Sequence, residues 1–109
     1  MVVNSPGTQV ECGETPATYV GSGPPKNTGL HRYVVLIFEQ KKTIHWPKYE
    51  WLQKTHEHRA GFDLKKFIEK YDMGDLIAGN CWRSSWDKSV PALYKELQEN
   101  YDTMPRNIA

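Results

Sequence analysis

The strongest apolar run in the chain is Tyr33 to Phe38, which reads Tyr-Val-Val-Leu-Ile-Phe. It is β-branched and aromatic, and continuous rather than alternating, which predicts a strand buried on both faces. Leu76 to Trp86 predicts a second strand, with Ile77, Cys81 and Trp82 set among small and polar residues. Val2-Val3 and Thr18-Tyr19-Val20 predict short strands near the start. The helical signals are different in period. Asp63 suits an N-cap, and Leu64, Phe67, Ile68 and Tyr71 follow at helical spacing, which predicts a short amphipathic helix over 64–71 that ends at Met73-Gly74-Asp75. Val90, Leu93, Tyr94, Leu97 and Tyr101 form one apolar stripe, the clearest helix in the chain. Ser89 or Asp87 can cap it, and Pro91 is tolerated because it falls in the first turn.

Between these elements the chain is polar or broken. Residues 1–30 hold most of the glycines and prolines, with turn signals at Pro6-Gly7, Gly21 to Pro25 and Thr28-Gly29. Residues 41–61 are mixed and polar, and predict a long surface connection of the kind that carries function or moves. Trp46 and Trp51 in that stretch are expected to pin it to the core. No repeat, low-complexity tract or internal domain boundary interrupts the 109 residues, which suit a single domain.

Composition narrows the class. Hydrophobic residues make up 39% and aromatic residues 12%, too rich for a disordered chain. A net charge of +1, with Lys41-Lys42 and Lys65-Lys66 as the adjacent basic pairs, provides no field to recruit nucleic acid or an anionic membrane. No apolar run approaches a transmembrane span, and the start lacks the pattern of a signal peptide. The expectation is a soluble, cytoplasmic protein whose Cys12 and Cys81 are free thiols.

The densest chemistry lies in Tyr19-Val-Gly-Ser-Gly-Pro-Pro-Lys-Asn-Thr-Gly-Leu-His-Arg-Tyr33. Gly21 and Gly23 permit close backbone approach and positive φ, while Pro24 and Pro25 stiffen the loop. His31 and Tyr33, two apart on a strand, share a face and can donate to an oxyanion. A hairpin turn with a backbone-satisfied histidine explains the same residues. The loop is not a dinucleotide fingerprint, because Pro24 and Pro25 stand where a helix should open. It is not a P-loop either, and Ser22 is not in a nucleophile elbow. His45, His56 and His58 lack metal-ligand spacing and are read as solvated, and Asp63, Glu69, Asp72 and Asp75 as a solvated helix face. With no nucleophile–base pair and no metal set, neither an enzyme nor a cofactor is expected.

This segment, continuing through Val34 to Phe38-Glu-Gln40, closely resembles the second signature region of the phosphatidylethanolamine-binding family. Phe62-Asp63 through Tyr71, Ala78-Gly79-Asn80, Trp86-Asp87 and Val90-Pro91-x-Leu-Tyr94 follow the family in order. The resemblance implies a mainly β fold with C-terminal helices, here an incomplete β-sandwich. Residues 1–97 would be the C-terminal portion of the domain, and 98–109 the helix end and tail. It implies a pocket for a phospholipid head group or another small anion, lined by Tyr19, Val20, Gly21, Gly23, Pro24, Pro25, His31 and Tyr33, with Tyr94 able to cover it. It also implies modulation of a protein kinase or protease. The family carries an Asp-Pro-Asp-x-Pro stretch and a His-Trp pair ahead of a segment like Val2-Val3-Asn4, where this chain begins. The pocket is thus expected to lack an acidic residue and a second histidine, and the sheet several strands, leaving exposed apolar surface. The alternative is an interaction or inhibitor protein with a vestigial pocket.

Overall fold

The structure, a computed structural model, describes residues 1–103. The last part of the predicted tail, 104–109, lies outside the described residues. Strand β1 (His31–Phe38), helix α1 (Leu64–Lys70), strand β2 (Leu76–Ser84) and helix α2 (Val90–Thr103) follow in order, with single 3-10 turns at Val10–Cys12 and Lys48–Glu50. The two strands form one antiparallel sheet. The register pairs His31 with Ser84, Tyr33 with Trp82 and Val35 with Asn80, and it slips between Ile37 and Phe38 so that Ile77 stands as an extra residue on β2.

The strands and helices sit where the apolar pattern places them, but their surroundings differ from expectation. The β1 run is not buried on both faces: Val34 is 61% exposed and Val35, on the opposite face, 48%. The reason is that β1 has one strand neighbour, and neither helix packs on the sheet. A continuous apolar run needs a layer on each side to be buried, and the described residues supply neither. The second layer of a sandwich is therefore not formed by them. Val2-Val3 and Thr18–Val20 are not strands; isolated bridges join Val3 to Glu14 and Ala17 to Leu52.

What is buried gathers under the loops. Val3, Ala17, Ile44, Val90 and Leu97 form the apolar core, with Pro16 and Pro24 enclosed beside them. The 41–61 connection is tied down rather than loose. Asn4 accepts at Oδ1 from the Ile44 N–H at 2.9 Å and from Gln40 Nε2 at 2.5 Å. Arg59 donates to the carbonyls of Thr55, Thr18 and Gln53 at 2.7, 2.8 and 2.6 Å. Trp51 donates to the Trp46 carbonyl at 3.0 Å, and the Trp46 ring stands 5.9 Å from Phe67 and 6.2 Å from Tyr71. Trp46 thus ties the connection to Phe67 of α1 and to its C-cap Tyr71, and Trp51 is held on Trp46. Helix α1 has no buried residue, so the two rings fasten the connection to a half-exposed helix and not to the core as expected. Asp63 caps α1 by accepting from the Lys66 N–H at 3.1 Å. At the start of α2 the Asp87 carboxylate accepts from the Ser89 N–H at 2.8 Å and from its hydroxyl. Both cysteines are free and exposed.

Candidate functional site

The loop from Ser22 to Thr28 is held from three directions, and all three holds come from the C-terminal third of the chain or from the loop's own exit. Trp82 on β2 donates its indole N–H to the Ser22 hydroxyl at 2.9 Å. Its ring stacks on Tyr33, centroids 5.6 Å apart and planes 15° from parallel. Cross-strand pairing sets this contact, because Tyr33 and Trp82 are directly opposite on one face of the sheet. From α2, the Tyr94 hydroxyl donates to the Gly23 carbonyl. Pro24 is fully enclosed. Further along, the Lys26 ammonium lies 4.9 Å from the centre of the Trp86 ring.

Gly23 has a reason for being glycine, and it is not backbone sign. Positive φ occurs at Gly7, Gly29 and Gly61, not at Gly21 or Gly23. A Cβ at Gly23 would meet Leu93 Cδ2 at 2.8 Å and the Tyr94 ring at 3.2 Å. The glycine lets α2 lie directly on the loop. At Gly21 an added Cβ meets nothing within 4 Å, so neither half of the expectation holds there.

His31 is placed by Thr28. The Thr28 Oγ1 stands 2.7 Å from the Pro25 carbonyl and 2.6 Å from His31 Nε2. A carbonyl can only accept, so the hydroxyl proton goes to Pro25 and the Thr28 oxygen receives the Nε2–H of His31. The neutral ring is therefore the Nε2–H tautomer, and Nδ1 is its open nitrogen. Alternation puts His31, Tyr33 and Val35 on one face with Ser84, Trp82 and Asn80.

The expected site residues thus divide. Gly23, Pro24, Pro25, His31, Tyr33 and Tyr94 are drawn into one connected cluster through Thr28, Ser22 and Trp82. Tyr19, Val20 and Gly21 lead into it without a hydrogen bond to it among the described residues, and Tyr19 is 69% exposed. Tyr94, 44% exposed, is fastened at the loop rather than swung over it. Reading the sequence missed Thr28, Trp82 and Trp86. Thr28 lies three residues before His31, a separation that suits a turn hydroxyl, and Trp82 becomes visible only once strand register is known. A separate open groove between Glu14 and residues 43–47 shares no residue with the cluster.

Comparison with known proteins places this arrangement. The family model described as "Phosphatidylethanolamine-binding protein" matches residues 2–84. The chain is 36% identical over 97 residues to the "Putative odorant-binding protein A5" of Drosophila melanogaster, a match spanning 89% of this chain and 46% of that protein. It is 37% identical over 83 residues to the "26 kDa secreted antigen" of Toxocara canis, spanning 76% and 32% respectively. Among solved structures it resembles the "CG7054 solution structure" with a TM-score of 0.65 and 35% identity, over 88% of this chain and 54% of that one. The chain spans about half the length of these proteins, or less. The cytoplasmic placement expected from the sequence is overturned by the relative named as a secreted antigen.

Proposed function

The chain belongs to the phosphatidylethanolamine-binding protein family, and from that premise we propose that it is a binding module, not a catalyst. Its ligand is a small molecule carrying an anionic group, of the kind a phosphorylated lipid head group presents. The observation that carries this reading is the shared face of His31 and Tyr33 beside a loop fastened by Trp82 and Tyr94. A fastened loop loses little freedom on binding, which favours affinity. One relative is named as a putative odorant-binding protein, which supports a small ligand, and the other as a secreted antigen, which supports a place outside the cell.

The test is calorimetric titration of the chain with phosphorylethanolamine. Saturable binding is expected, with the anion accepting from the Nδ1–H that the ring carries once protonated, the Nε2–H being given to Thr28. His31→Ala should be weaker by about 1–3 kcal/mol, the usual loss for a charge-assisted hydrogen bond. Equal affinity in the variant would remove His31 from the site. A second reading is favoured by one observation: the Tyr94 hydroxyl and His31 Nε2 are both engaged within the chain. On that reading the pocket is vestigial, and the protein modulates a kinase or protease through surfaces such as the 41–61 connection. It predicts no heat of binding for any head-group analogue.

A further inference from the structure

The sheet has a second face, and its chemistry is unlike the first. Arg32 on β1 is directly opposite Arg83 on β2. Alternation sends both side chains to the face away from His31 and Tyr33. Residues directly opposite in an antiparallel pair have Cβ atoms about 4.5–5.5 Å apart, and like charges so placed repel. Both arginines are exposed. Among the described residues neither meets a carboxylate: the ion pairs there are Lys41–Asp72, Lys54–Glu96 and Lys95–Glu99. The next pair along this face, Val34 and Cys81, carries no charge.

We propose that Arg32 and Arg83 form a second anion site, on the opposite face of the sheet from the His31 cluster, which takes a dianionic phosphate between the two guanidinium groups. Each guanidinium is a planar fork that fits two oxygens of a phosphate, and its charge persists across the working pH range. A phosphate between them replaces repulsion with two attractive contacts. Chloride, a single sphere of one charge, has no oxygens with which to bridge the two forks. The proposal concerns residues outside the site of the preceding subsection and stands or falls separately from it. The phosphate can be free or carried on a head group.

The experiment is a titration of the 109-residue chain with inorganic phosphate at constant ionic strength, following the arginine Nε–H resonances by NMR. Arg32 and Arg83 should shift together, saturate with one constant, and ignore chloride. Arg83→Gln should weaken the Arg32 response by roughly tenfold or more. It should also melt higher than wild type in chloride, because the repulsion is gone, and lose the rise in melting temperature that phosphate gives the wild type. His31→Ala should leave the arginine response intact, which separates this site from the first. A parallel arm uses phosphatidylcholine vesicles with and without phosphatidic acid. Binding in the phosphate arm alone assigns the site to soluble phosphates, and loss of vesicle binding in Arg83→Gln admits a head group. An Arg32 response that survives Arg83→Gln, fails to saturate, or is matched by chloride overturns the proposal.

Discussion

The Tyr94 hydroxyl donates to the carbonyl of Gly23, 71 positions earlier in the chain. This bond fastens α2 to the signature loop at Gly23, where an added Cβ would also meet Leu93. Tyr94→Phe removes one partially exposed hydrogen bond and no apolar area, so it should cost about 1 kcal/mol in urea unfolding. Gly23→Ala leaves the donor in place but forces Leu93 and the Tyr94 ring aside, and should cost about 1–3 kcal/mol. If Gly23→Ala proved neutral, the close approach of α2 would be wrong.

That contact marks the boundary of what was legible beforehand. Apolar period located Leu64–Lys70 and Val90–Thr103, and runs of β-branched and aromatic residues located both strands, to within a few residues. The Asp63 cap was readable because a cap acts within one turn. Burial was not readable. The run from Val34 to Ile37 is as apolar as an interior strand, yet whether a second layer covers it depends on chain beyond the run itself. The cluster was half legible: His31 and Tyr33 sit two apart, so alternation pairs them. Trp82 joins them only through a register that no local signal specifies.

Thr28 sets the tautomer of His31. Because the hydroxyl proton goes to the Pro25 carbonyl, the neutral ring should carry its proton on Nε2. Imidazole nitrogen shifts by NMR should report protonated Nε2 and bare Nδ1 in the wild type. Thr28→Ser should keep that pattern, and Thr28→Val should abolish the preference. The same mixture of tautomers in all three proteins would exclude the relay.

Acid should loosen the start of α2 before the rest of the chain. The Ser89 hydroxyl and then its N–H hold the Asp87 carboxyl below the ordinary carboxylate range. A depressed folded-state value means the contribution is complete above the unfolded value. It is lost as pH falls through the folded one. Amide protection at Val90 and its neighbours, taken relative to the intrinsic exchange rate at each pH, should therefore fall on acidification in wild type. In Asp87→Asn that protection should not follow this acid limb. An identical acid dependence in both proteins would assign it to other carboxyls.

The bare sheet should drive self-association. Leu76 and Ile77 are 55% and 64% exposed at the end of the sheet beside Phe38, and Val34 and Val35 are exposed further along β1 on its two faces. Each strand also has an outer edge unpaired among the described residues, a template for another chain. Burial of apolar area is worth about 25 cal/mol per Å², so even partial coverage by a second molecule is favourable. Val34→Lys and Ile37→Lys place a charge on opposite faces of β1, and together should shift the chain toward monomer in sedimentation velocity. A chimera that adds a family N-terminal half should do the same by covering the sheet. It should also tighten head-group binding by roughly tenfold or more, since ~1.4 kcal/mol suffices for that factor. A wild-type chain that stays monomeric at every concentration, unfolds cooperatively and binds as tightly as the chimera would show that the exposed sheet is neither sticky nor a handicap to the site.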